Sequence, residues 1–207
     1  MLQIVGLSLI LSFIILGVAI DAGVLDEWDT GVFAVVNSGN YEALDSVMVI
    51  LSLYGREVVW GALIVGLFII GGEREKKMAL TLGLIFLILI GAGYVSKAYY
   101  SRPRPYDVVD DVRLLVAKES DYSFPSGHTL IVAGGVVVAW LHLRRVWAAL
   151  LSAEVALVAY SRIYVGVHHP SDVVGGVLLG AGCALIVCSE TGLIDRLYDR
   201  LPKRLRG

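Results

Sequence analysis

The chain has 207 residues, 57% of them hydrophobic and 17% charged, with a net charge of −2. That is one domain's worth of sequence with too little polar surface to cover its apolar blocks as a soluble protein, and its charge gives no basis for a nucleic-acid partner. Its two cysteines, Cys183 and Cys188, lie in one apolar block without a Cys-x-x-Cys, so neither a zinc site nor a disulfide framework is indicated.

Leu2–Ile20 is free of charge and long enough to cross a hydrocarbon core of about 30 Å. No Lys or Arg precedes it and no small-x-small cleavage site follows, so it reads as a retained helix rather than a signal peptide. An acidic stretch follows, with Asp21, Asp26, Glu27, Asp29, Glu42 and Asp45. Leu44–Leu53 is apolar but about half the length of a span, and reads as interfacial or re-entrant. Further blocks occupy Val58–Gly72, Met78–Ser96, Thr129–Leu143, Val146–Tyr160 and Val173–Ser189. The pattern predicts an all-α polytopic membrane protein: a six-helix transmembrane bundle in a single membrane-embedded domain over 1–207. Trp60, Trp140 and Trp147 fall near predicted helix ends, where an aromatic belt would put them.

The 191–206 tail alternates Leu193, Ile194, Leu197, Leu201 and Leu205 with basic residues, as a helix lying on the inner membrane surface would, with Pro202 interrupting it. Ten Lys and Arg residues fall on the side of the termini and seven on the opposite loops. The positive-inside rule therefore places both termini in the cytoplasm.

Three polar stretches adjoin helix ends on the opposite side. In Lys97–Pro105, Pro103 and Pro105 hold Arg102 and Arg104 extended. Cations there can snorkel to the interface, or bind an anionic headgroup through the guanidinium fork. In Pro125–His128, Ser126 suits an N-cap, and Gly127 lets a ligand approach the free amides of a helix start. His128 is then either an ordinary first-turn residue or a proton donor to a leaving oxygen. In Ser161–Asp172, Pro170 fits a first helical turn, with His168 before it and Asp172 inside. Asp172 could accept a hydrogen bond from the Nδ1–H of His168 and leave Nε2 as a free lone pair, the logic of a nucleophile with an orienting carboxylate. His169 lacks a separate partner and reads as structural. His142 belongs to a cytoplasmic turn, and Gly176 and Gly180 form a small-xxx-small pair for close helix packing. Tyr94, Tyr99, Tyr100 and Tyr164 could line an entrance for a headgroup.

These stretches read Lys97-x6-Arg104-Pro105, Pro125-Ser126-Gly127-His128 and Ser161-Arg162-x5-His168-x3-Asp172. In order and spacing they resemble the type-2 phosphatidic acid phosphatases, or lipid phosphate phosphatases. The resemblance implies an integral-membrane hydrolase of lipid phosphates or diphosphates, with its active site at the outer membrane face and neither metal nor cofactor. His168 would attack phosphorus and form a phosphohistidine, Asp172 would hold its tautomer, and His128 would protonate the leaving group and then activate water. Lys97, Arg104, Arg162, the Ser126 hydroxyl and the Gly127 amide would hold the non-bridging oxygens. Phosphatidate, phosphatidylglycerophosphate and polyprenyl diphosphate all fit, and oligomeric state is open. A headgroup phosphotransferase, or a binder or translocator of lipid phosphates that needs no nucleophile, are the competing readings.

Overall fold

A computed structural model describes residues 1–39, 42–190 and 192–206. In chain order the helices are α1 (Leu2–Asp21), α2 (Asp26–Asn37), α3 (Glu42–Ile70), α4 (Glu73–Tyr100), α5 (Pro105–Val108), α6 (Gly127–His142), α7 (Arg145–Tyr164), α8 (Pro170–Ser189), α9 (Leu193–Asp199) and α10 (Lys203–Arg206). Five of these, α1, α3, α4, α7 and α8, are long and apolar enough to cross a membrane, and α6 is a shorter apolar helix. Their outward faces carry side chains such as Ile4, Leu11, Ile69, Leu87, Ile90 and Val177. An apolar exterior on helices that satisfy their own backbone groups is what a bilayer requires.

The five long helices and α6 alternate in direction. The C-terminal ends of α1, α4 and α7 therefore share one end of the bundle with the N-terminal ends of α3, α6 and α8. All three polar stretches lie at that end. α6 packs against α4, α7 and α8, and α8 also packs against α1. At about 24 Å by helical rise, α6 is shorter than a hydrocarbon core of about 30 Å.

The expected small-residue packing holds α6 and α8 together. A Cβ on Gly180 would stand 2.2 Å from the Leu130 carbonyl oxygen, and one on Gly176 2.8 Å from that of Ser126. The two backbones touch directly, which sets their N-terminal ends side by side. Phe124 closes the core beneath this end, stacked on Phe13 at 5.2 Å and meeting Tyr100 edge-on at 5.0 Å.

One expected segment is corrected. Leu44–Leu53 is not re-entrant; it is the first part of α3, which runs unbroken from Glu42. The charged pair Arg56–Glu57 had ended the apolar run in the sequence, yet within the helix the two side chains bond to each other, with Arg56 Nε donating to Glu57 at 2.8 Å. At roughly 43 Å by helical rise α3 is long enough to cross and still extend beyond the core. Trp60 is corrected with it: the indole is buried against Gly135 of α6 and donates to Glu154 at 3.1 Å, rather than facing an interface. Trp140 and Trp147 are exposed.

The tail breaks between α9 and α10, around Pro202. It folds back on α4, where Lys77 pairs with Asp195 at 2.6 Å and Tyr198 is buried.

Candidate active site

His168 lies in the short connection between α7 and α8 and is 1% exposed. Its main-chain N–H donates to the carbonyl of Arg162 at 3.2 Å, tying the connection to the last turn of α7. On one side of the ring, Nδ1 stands 3.4 Å from Asp172 Oδ2 and 3.4 Å from Ser123 Oγ. On the other, Nε2 stands 3.4 Å from a terminal nitrogen of Arg104. A guanidinium can only donate, so Nε2 is the acceptor and the ring proton belongs on Nδ1. That is the tautomer with a free electron pair on Nε2. Burial lowers the imidazole pKa to about 3; Asp172 opposes the shift, and the cations Arg104 and Arg162 reinforce it. The ring is neutral at neutral pH.

Asp172, completely buried, is held from several directions. Ser123 Oγ and the His169 main-chain N–H donate to Oδ2, the latter at 2.8 Å, and Arg102 donates to Oδ1 at 2.6 Å. A buried carboxylate needs such donors to stay ionised. His169 shares it too, with Nδ1 3.3 Å from Oδ2, and caps α8. His169 thus has no carboxylate separate from that of His168, and as the N-cap it faces the third residue of its own helix.

The cations converge. Arg104, 1% exposed, donates to the carbonyls of Val167 at 2.8 Å and Asp121 at 2.9 Å, and to the carboxylates of Glu119 and Asp121 at 2.6 Å each. Arg162 donates to the Ser52 hydroxyl at 2.6 Å and carbonyl at 3.2 Å, and also reaches Glu119. Its Nε is buried without a hydrogen-bond partner among the described residues. Lys97, at the end of α4, donates to Asp121 at 2.6 Å. Burial opposes ionisation of Glu119 and Asp121, but the neighbouring cations outweigh it and hold both carboxyls below their usual range.

Ser126 occupies the N-cap position of α6 without a side-chain capping bond; its hydroxyl accepts from Thr129 at 3.1 Å, and its N–H donates to the Asp172 carbonyl at 3.0 Å. Gly127 opens the helix, with nothing within 4 Å of where a Cβ would stand. His128 Nε2 lies 3.8 Å from Glu57. Glu57, Ser52, Glu119, Asp121, Ser123 and Asp29 are functional neighbours that motif spacing does not reveal. Asp29, 1% exposed, accepts from Arg102 at 2.6 Å and from the Ser171 N–H at 2.8 Å, so the acidic stretch enters the site from α2.

A cavity of about 450 Å³ opens beside the cations, lined by Lys97, Asp121 and Gly127 at its polar end and by Leu89, Gly93, Tyr94, Leu130 and Ile131 along α4 and α6. Tyr164 is buried against Asp45, to which its hydroxyl donates at 2.7 Å, so it lines no entrance. A second cavity, of about 510 Å³, lies on the other side of Arg102, where Asp21, Asp26 and Asp29 face it. Among the described residues no three His, Cys, Asp or Glu side chains converge as metal ligands would.

Residues 76–191 match the PAP2 superfamily. An undecaprenyl-diphosphatase from Sulfolobus acidocaldarius is 40% identical over 172 residues, 82% of each chain. Undecaprenyl-diphosphatase BcrC of Bacillus subtilis is 28% identical over 176 residues, 81% of this chain and 89% of that one. A crystal structure of a transmembrane PAP2-type phosphatidylglycerolphosphate phosphatase from Bacillus subtilis superposes with a TM-score of 0.73 at 28% identity, covering 96% of this chain and 98% of the other.

Proposed function

Since the chain belongs to the PAP2 superfamily, we propose that it hydrolyses lipid phosphates or diphosphates at the site built around His168. The observation that carries this is the neutral, Nδ1-protonated His168, whose Nε2 faces Arg104, in an array of charges that reaches through Asp121 and Lys97 to the wall of a mostly apolar cavity. A polyprenyl diphosphate is the favoured substrate class, supported by the two relatives named as undecaprenyl-diphosphatases and by the apolar walls of the cavity, which suit an isoprenoid chain.

Nε2 of His168 attacks the terminal phosphorus, forming a P–N bond as the bond to the leaving oxygen breaks. His128 gives that oxygen a proton, and Glu57 stands beside the ring to balance its charge. Arg104, Arg162, Lys97 and the first amides of α6 hold the three non-bridging oxygens, and the Ser126 hydroxyl serves them once it turns from Thr129. Water then attacks the phosphohistidine; His128 takes its proton, the P–N bond breaks and inorganic phosphate leaves. Asp172, backed by Arg102, keeps the proton on Nδ1 in both steps. The cations supply the charge neutralisation of phosphoryl transfer, so the reaction runs without a metal.

The whole chain acts as one domain, with both termini cytoplasmic and the site facing outward. The ten basic residues at the other end of the bundle support that orientation. An impermeant thiol reagent on sealed, right-side-out vesicles should label Lys118→Cys on the exposed loop; labelling only after the vesicles are opened would reverse the orientation.

The deciding experiment measures phosphate release from undecaprenyl diphosphate and phosphatidate by purified protein, with and without EDTA. Wild type should turn over in EDTA, and His168→Ala should lose at least about 10³-fold in kcat, the scale for removal of a nucleophile that works with its base. Full activity in His168→Ala would exclude the mechanism, and loss in EDTA would exclude metal independence.

A further inference from the structure

The cations of the site already hold anions. Asp121 bridges Lys97 and Arg104, and Glu119 bridges Arg104 and Arg162, so two carboxylates alternate with three cations. Neither carboxylate is needed to keep the two arginines in place. Arg104 is tethered by the Val167 and Asp121 carbonyls, and Arg162 by both oxygens of Ser52. The main chain of Glu119 is fixed independently, since its N–H donates to the Tyr106 hydroxyl at 3.2 Å and its carbonyl accepts from it at 2.9 Å. The two carboxylate side chains are the exposed members of the array, Glu119 at 29% and Asp121 at 55%, so both can rotate away while the backbone stays. The unpartnered Arg162 Nε marks further anion-binding capacity that the carboxylates leave unused.

We propose that Glu119 and Asp121 are specificity-determining residues: internal counter-ligands that admit terminal phosphoryl and diphosphate groups and turn away phosphodiesters. The proposal rests on the phosphatase reading above. Displacing both carboxylates takes two negative charges from three desolvated cations. A terminal phosphoryl group brings about −1.5 to −2 and a diphosphate more, which restores the balance with charge-assisted bonds. A phosphodiester brings a single charge and leaves cationic excess in a buried site, where an unpaired charge is costly. The cavity reaches the exposed face of α4 at Ile90 and Tyr94, so ordinary bilayer lipids have access and must be rejected by charge rather than by distance. If the carboxylates were instead scaffolding for the cations, removing their charge would weaken anion binding. The two roles predict opposite signs.

The test compares wild type, Asp121→Asn and the double variant Glu119→Gln/Asp121→Asn in mixed micelles. Inorganic phosphate binding is measured by calorimetry, and inhibition of undecaprenyl diphosphate hydrolysis by phosphatidylglycerol, a phosphodiester, by phosphate release. Loss of one competing charge-assisted bond should tighten phosphate binding about tenfold and make the variants sensitive to phosphatidylglycerol, to which wild type is indifferent. Weaker or unchanged phosphate binding in a folded variant, or unaltered resistance to phosphatidylglycerol, overturns the proposal. Asp121→Asn, at an exposed side chain, gives the same sign even if the double variant does not fold. Wild type that binds phosphate without hydrolysing any lipid would refute the phosphatase reading instead, while normal turnover with unaltered affinities in the variants refutes only this one.

Discussion

Arg102 donates to Asp172 at 2.6 Å from a guanidinium whose other terminal nitrogen donates to Asp29 at 2.6 Å, so the carboxylate behind His168 is tied to α2, far outside the catalytic motifs. Both carboxylates are fully withdrawn from water and Arg102 nearly so. Removing one partner from such an array strands the others. Asp29→Ala is therefore expected to lower stability by about 3 kcal/mol and to reduce kcat more than it changes KM. Chemical denaturation in detergent and steady-state kinetics check both parts. Unchanged values in each would show that Asp29 contributes nothing to the positioning of Asp172.

Arg104→Lys keeps the charge and loses the fork. One ammonium cannot replace contacts to three carbonyls, two carboxylates and the His168 ring from three separate nitrogens. A fall of about 10²-fold in kcat is expected, the scale for losing one preorganised donor to a developing charge. A rise in KM with kcat intact would assign Arg104 to ground-state binding instead.

Gly180→Ala places a methyl group 2.2 Å from the Leu130 carbonyl, against backbone that has nowhere to go. Overpacking of this kind costs about 1–3 kcal/mol. It should also push apart the helix starts that carry Gly127 and Asp172, so activity should fall with stability. Gly61→Ala, where nothing lies within 4 Å, is the matched control and should be neutral or slightly stabilising. Thermal denaturation of the pair tests the α6–α8 contact directly.

Acid should destabilise the protein in two stages. The folded pKa of His168 is depressed from 6.5 to about 3, so between those values the unfolded chain binds a proton that the folded one refuses. Stability present at neutral pH is thus lost as pH falls through that window, by about 1.4 kcal/mol per unit at full effect. Glu119 and Asp121, held below the usual carboxylate range, add a loss of the same sign once pH drops to their unfolded values and below. His168→Ala should make the first stage shallower and retain the second. Denaturation profiles of the two proteins with the same slope between pH 6 and 5 would contradict the assignment.

The features most legible in the sequence are the local ones. A charge-free run such as Leu2–Ile20 has a single stable setting in a bilayer, and the Pro170 and Asp172 pair marks the start of α8 whatever surrounds it. The His168–Asp172 approach follows from that same turn, because four residues across a helix start bring two side chains together. Leu44–Leu53 was misread for a complementary reason. Its continuation through Arg56 and Glu57 depends on where those charges find partners, and Ser52 acquires its role only through Arg162 on α7.

By itself, then, the sequence marked the six apolar crossings, the end of the bundle at which the three polar stretches gather, and the histidines and cations proposed above as nucleophile, proton donor and phosphate cradle. These are written in length, period and spacing, which act over a turn or two of chain. Only the tertiary structure decided that Asp29 stands behind Arg102, that Ser123 shares Asp172 with His168, and that Glu119 and Asp121 lie across the cations. Those residues sit in loops or on separate helices with no periodic signature, and their roles arise from charges that burial forces to find one another.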